Sequence, residues 1–149
     1  MKLLLSSLVL SAVLVGGCSS NESKEPKVCT VETNEQTGTF EIIPDGNKVK
    51  TIIATLEQDY EGASELSDDD KSALDAYMAS AMGIDGESGV TLKIEYGDNT
   101  IKVVLTFDVQ NIKEMPSIFQ STTGTADDLK EISFDDFIKD LETAGAECE

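Results

Sequence analysis

Between Val90 and Val109 the chain alternates apolar and polar residues. Leu92, Ile94 and Tyr96 are interleaved with Thr91, Lys93 and Glu95. After Gly97-Asp98-Asn99, the residues Ile101, Val103, Leu105, Phe107 and Val109 are interleaved with Lys102, Thr106 and Asp108. A period of two puts successive side chains on opposite faces, so this segment predicts an antiparallel hairpin with one buried face. Upstream, "VCTVET" and "TGTFEII" are short β-prone runs flanking the polar stretch Asn34 to Gln36. Pro44 to Asn47 ("PDGN") predicts a turn, because proline presets one dihedral and glycine admits positive φ. Lys48 to Tyr60 then predicts a longer strand, with Ile52, Ala54 and Leu56 on one face.

Two segments change period. Ser67 can cap a helix, and Asp68, Asp69 and Asp70 fill its first turn, where negative charge meets the positive end of the helix dipole. Leu74, Tyr77, Met78 and Ala81 follow at helical spacing, and Gly83 can end the helix. The second helix starts at Ser133, with Asp136 completing an Asp-for-Glu capping box and Ile132 stapled to Phe137. Its stripe is Phe134, Phe137, Ile138 and Leu141, and Gly145 ends it. "GIDGESG" and the irregular stretch Asn111 to Asp128, with Pro116 and Gly124, read as loops, the latter with short helical turns. The order of elements predicts an α+β domain: an antiparallel β-sheet with two main helices packed on one face.

The first twenty residues follow a different logic. Lys2 precedes an apolar run from Leu3 to Val15, broken only by small residues, and the run stops at Gly16-Gly17-Cys18 before a polar stretch. It is shorter than the roughly 20 residues of a membrane span. A basic start, an apolar middle and small residues before a cut make a secretory signal. Leu14-Val15-Gly16-Gly17-Cys18 resembles a bacterial lipobox. That resemblance implies diacylglyceryl attachment at the Cys18 thiol, cleavage after Gly17 and acylation of the new amino terminus, with palmitate as a typical chain. Residues 1–17 are then a lipoprotein signal peptide, 18–27 a flexible membrane tether and 28–149 a single domain. The expected location is extracytoplasmic, lipid-anchored to a bacterial membrane.

Charge narrows the partners. Eleven basic against 29 acidic side chains give a net charge of -18. Such a surface repels nucleic acid and favours a cationic or protein partner in the envelope. Cys29 and Cys148 stand at opposite ends of the predicted domain. In an exported chain they pair if the termini meet, the alternative being two free thiols.

Catalytic equipment is sparse. Histidine is absent, which excludes Ser-His-Asp triads and most zinc sites. No Gly-rich phosphate loop and no EF-hand spacing occur. The carboxylates of "DDDK" and "SFDDF" fall at helix starts, where capping accounts for them. No catalytic residue, metal or cofactor is expected.

The chain resembles the YehR-like small bacterial lipoproteins in "VGGC", "KVKTIIATLEQDY", "GVTLKIEY" with "VVLTFDV" after it, and "SFDDFIKDLETAGAECE". The resemblance implies location and architecture, and brings no enzymatic activity or catalytic residue with it. The expected function is a membrane-tethered, non-enzymatic binding or interaction module. The alternatives are a carboxylate-based envelope hydrolase, or a structural lipoprotein without ligand.

Overall fold

The computed structural model of the chain describes residues 24–32, 37–84, 89–114 and 125–149. Six strands form one antiparallel sheet: β1 (Lys27–Glu32), β2 (Thr37–Asp45), β3 (Lys48–Asp59), β4 (Val90–Tyr96), β5 (Thr100–Asp108) and β6 (Glu147–Cys148). Their order across the sheet is β4-β5-β3-β2-β1-β6. The helices are α1 (Asp68–Met82), α2 (Ala126–Glu131) and α3 (Phe134–Thr143). This is the expected α+β architecture.

The registers define the two faces. One row runs Cys148, Cys29, Phe40, Ala54, Leu105, Leu92; the next runs Lys27, Ile42, Ile52, Phe107, Val90. These rows supply most of the strand side of the core, which Phe134, Phe137, Leu129 and Met82 complete from the helices. Ile42 and Leu105 are wholly buried. Truncating such a residue to alanine typically costs about 2–5 kcal/mol.

The β2–β3 connection is tighter than the expected four-residue turn. Asp45 pairs with Lys48, leaving Gly46 and Asn47 as the loop. Gly46 has φ 61°, the positive value a two-residue hairpin loop with glycine first needs. Pro44 lies within β2, where the register shifts. Ile43 faces Thr51 while Pro44 faces Val49, so Lys50 is the extra residue of a bulge. The bulge turns Val49 into the core, where it is 1% exposed. Gly89, before β4, is also required: a Cβ there would lie 2.6 Å from the Asn111 carbonyl.

Helix α1 begins and ends as predicted, with Ser67 Oγ accepting from the Asp70 N–H at 3.2 Å and Gly83 at the C-cap. Its packing stripe differs. Leu74 and Met78 are half-buried and Met82 is buried, whereas Tyr77 and Ala81 point outward, Tyr77 being 68% exposed. Met78 and Met82 pack into the core, and the other side of the helix has no second layer against it among the described residues.

Tyr96 at the end of β4 fixes α1. Its hydroxyl donates to the Asp75 carboxylate at 2.7 Å and lies 3.2 Å from the Lys71 carbonyl, and the Lys71 ammonium sits 5.5 Å from its ring centroid. Burial, and then the Asp75 carboxylate, push the Tyr96 pKa up to about 12. The neutral phenol is therefore the stabilised form. Its contribution is complete below pH about 10, the unfolded value, and is lost as pH climbs through about 12. Alkaline titration of tyrosinate absorbance should show one step near pH 12 that Tyr96→Phe removes, and Tyr96→Phe should cost about 1 kcal/mol at neutral pH.

The stretch read as a loop ends in α2. Thr125 Oγ1 accepts from the Asp128 N–H at 3.2 Å, and the Asp128 carboxylate accepts from the Thr125 N–H at 2.9 Å, a complete capping box. In α3 the expected box is only half made. Ser133 Oγ accepts from the Asp136 N–H at 3.1 Å, but the Asp136 carboxylate takes the Ser133 hydroxyl at 2.6 Å. Ser133 also bridges to Lys48, and the Phe134 N–H donates to the Asn47 carbonyl at 2.9 Å. The start of α3 is thereby tied to the β2–β3 turn.

Candidate functional surface

The cysteines are placed by the sheet edge. After α3 the chain turns at Gly145 and adds β6 alongside β1. Val28 and Glu149 exchange both backbone hydrogen bonds, each at 3.0 Å. The adjoining pair, Cys29 and Cys148, therefore occupies a non-hydrogen-bonded position, where antiparallel strands approach closest. Their Cα atoms are 4.0 Å apart and the two side chains form a disulfide. The sequence led to this pairing but not to β6, because two residues are too few for a period. Cys18, the expected lipid attachment site, lies outside the described residues.

Three carboxylates of the two acidic motifs have side-chain partners. Asp70 accepts from the Ser67 hydroxyl at 2.7 Å, Asp136 from Ser133, and Asp135 pairs with Lys24. A cleft of about 230 Å³ opens between α2 and α3, lined by Leu129, Ile132, Phe137 and Leu141 with Asp128 and Asp140. Ile132 and Phe137 both line it. Its Asp128 carboxyl is held below the usual range by the Thr125 backbone and hydroxyl bonds. This is the opposite of the raised pKa that a general acid needs. Among the described residues, no three His, Cys, Asp or Glu side chains gather as metal ligands.

The second face of the sheet is the more extensive surface. Its rows run Val28, Glu41, Ile53, Thr106, Thr91 and Glu147, Thr30, Thr39, Thr55, Val104, Lys93. None of these side chains belongs to the core, and among the described residues no helix packs over them. The centre is β-branched: Ile53, Thr55, Val104 and Thr106 are half-buried by their neighbours, and Val28 is 42% exposed. The periphery is acidic, with Glu32, Glu41, Glu57, Asp108 and Glu147 against Lys93 and Lys102. Lys93 is itself paired to Glu95 at 2.7 Å, which holds the Glu95 carboxyl below its ordinary value. The polar residues Thr91, Lys93, Lys102, Thr106 and Asp108 of this face are legible as the polar half of the hairpin's alternation, whereas Ile53 and Val104 are not. That no described helix covers the face is not legible, since it depends on where the helices dock.

Two solved structures resemble this fold. The NMR structure of the E. coli YehR protein matches with a TM-score of 0.59 at 16% identity, covering 85% of this chain and 92% of that one. The NMR structure of a protein from Streptococcus pneumoniae TIGR4 matches with a TM-score of 0.50 at 13% identity, covering 100% of this chain and 98% of that one. At these identities the likeness is one of fold. No family model matches the chain, and no curated protein is similar to it in sequence.

Proposed function

We propose that this protein is a lipoprotein of the bacterial envelope, anchored through Cys18, whose domain is a non-enzymatic interaction module binding a protein partner across the open face of its sheet. The observation that carries the binding surface is the sheet face that no described helix covers, with β-branched residues at its centre and carboxylates around it. Its chemistry fits an envelope protein that presents an apolar patch ringed by lysine or arginine. Water leaves the β-branched centre on contact, which contributes roughly 25 cal/mol per Å² of apolar area buried. The acidic periphery speeds encounter with a basic surface and disfavours acidic competitors. Support for a non-enzymatic role comes from the engaged carboxylates and the missing histidine, and support for the location comes from the lipobox.

The test places charge at the centre of that face. Ile53→Glu and Val104→Glu sit at half-exposed positions, so each variant should keep the wild-type circular dichroism. Each should also lose site-specific cross-linking, from a photoreactive residue at Thr55, to a basic envelope protein in intact cells. Ala76→Glu, on the outer side of α1, should leave the cross-link intact. Retention of the cross-link in both sheet variants, or its loss in the helix variant, would reject this surface.

A further inference from the structure

The domain has two unlike ends along its strands. The 12 residues of β3 span about 40 Å at roughly 3.3 Å per residue. At the start of β3 lie the Gly46-Asn47 turn and the N-terminus of α3. At its finish lie Tyr60, whose N–H donates to the Asn99 carbonyl at 2.8 Å, the β4–β5 loop, and α1's first turn.

Lys24, the first described residue after Cys18, is held at the first of these ends. Lys24 donates to Asn47 Oδ1 at 2.7 Å and pairs with Asp135, and its ammonium lies 5.7 Å from the Phe134 ring centroid. Three partners on two separate elements hold one side chain that is 28% exposed. Only six residue steps separate Lys24 from Cys18. Fully extended, they reach about 20 Å, against about 30 Å for the nine steps to Lys27.

Charge is distributed in the same sense. Lys24, Lys27, Lys48 and Lys50 cluster at the turn end and offset part of the charge of Glu25, Asp45, Asp108, Glu131, Asp135, Asp136 and Glu149 there. The far end carries Glu57, Asp59, Glu61, Asp68, Asp69 and Asp98, with few lysines among them. Beside anionic headgroups, the end with the larger share of lysines is the less repelled.

We propose that the domain stands on the bilayer with the β2–β3 turn and the start of α3 facing the lipid surface and its acidic end pointing away, and that Lys24 is the latch that sets this orientation. The proposal rests on the Cys18 anchor. It goes further by naming the lipid-facing end, and it leaves the open sheet face standing upright and accessible from the side.

The experiment uses lipidated protein in vesicles carrying a headgroup-bound quencher, with a fluorophore on the single free thiol of Asp45→Cys or Asp98→Cys. Both positions are exposed, one at each end. Quenching should be several-fold stronger at residue 45 than at residue 98, and Lys24→Ala should reduce that ratio by at least half. Equal quenching at both positions, or more at residue 98, would overturn the orientation. An unchanged ratio in Lys24→Ala would overturn the latch. Failure of the anchor itself reads differently: the protein would not float with vesicles at all, as expected of the Cys18→Ser control.

Discussion

Loss of the Cys29–Cys148 bond should lower the stability of the domain by about 5 kcal/mol, since cross-linking residues 119 apart removes a large part of the unfolded chain's freedom. For a domain of this size that is on the order of 15 °C in the unfolding midpoint. The informative variant is Cys29→Ala with Cys148→Ser. Cys29 is wholly buried, so serine there would bury a hydroxyl among apolar neighbours. Cys148 is half-buried at the sheet edge and tolerates it. The loss should appear in thermal or denaturant unfolding while the native far-ultraviolet spectrum changes little, because α3 is held independently. Phe134 and Phe137 are 4% and 6% exposed against the sheet, and each buried side chain of that kind contributes roughly 1.5–3 kcal/mol. A midpoint that stays within a few degrees of wild type, or two free thiols in the unreduced protein by mass spectrometry, would contradict this account.

The second large effect is on attachment. With Cys29 and Cys148 bonded to each other, Cys18 is the remaining one of three cysteines. Cys18→Ser should abolish incorporation of labelled fatty acid, leave the leader uncleaved and move the protein out of the detergent phase on partition. The expected size follows from acyl chemistry. Each buried methylene contributes about 0.8 kcal/mol; one chain binds only reversibly, whereas two anchor stably. Removing all of them leaves a strongly acidic domain with no attraction to an anionic surface. A Cys18→Ser protein that still matures and carries labelled lipid would refute the assignment.

Much of the fold was legible because its signals are local. Alternation over Val90 to Val109 is produced within a single hairpin, where each residue's face is set by its neighbours two positions away. Ser67 and Ser133 act on N–H groups three residues downstream, so their roles can be read from a four-residue window. Helix α2 carries the same kind of signal, Thr125 to Asp128, but its six residues are too few for a hydrophobic stripe, and the surrounding prolines and glycines read as loop.

What remained hidden depends on residues distant in sequence. The stripe of α1 turns toward Met82 and away from Tyr77 because Tyr96, 21 residues from Asp75, clamps one side of the helix. The bulge at Lys50 that buries Val49 follows from the fit between two strands and cannot be seen in either one. Strand β6 exists because β1 offers it an edge. The sequence by itself determined the five longer strands, the two capped helices, the candidate pairing of Cys29 with Cys148 and the expectation of an anchor at Cys18, since each follows from spacing or from a small inventory of reactive groups. Only the tertiary structure decided which face of the sheet the described helices cover and to which end Lys24 is tied. Those outcomes are set by the docking of elements up to 111 residues apart, as Lys24 and Asp135 are, and no local pattern encodes them.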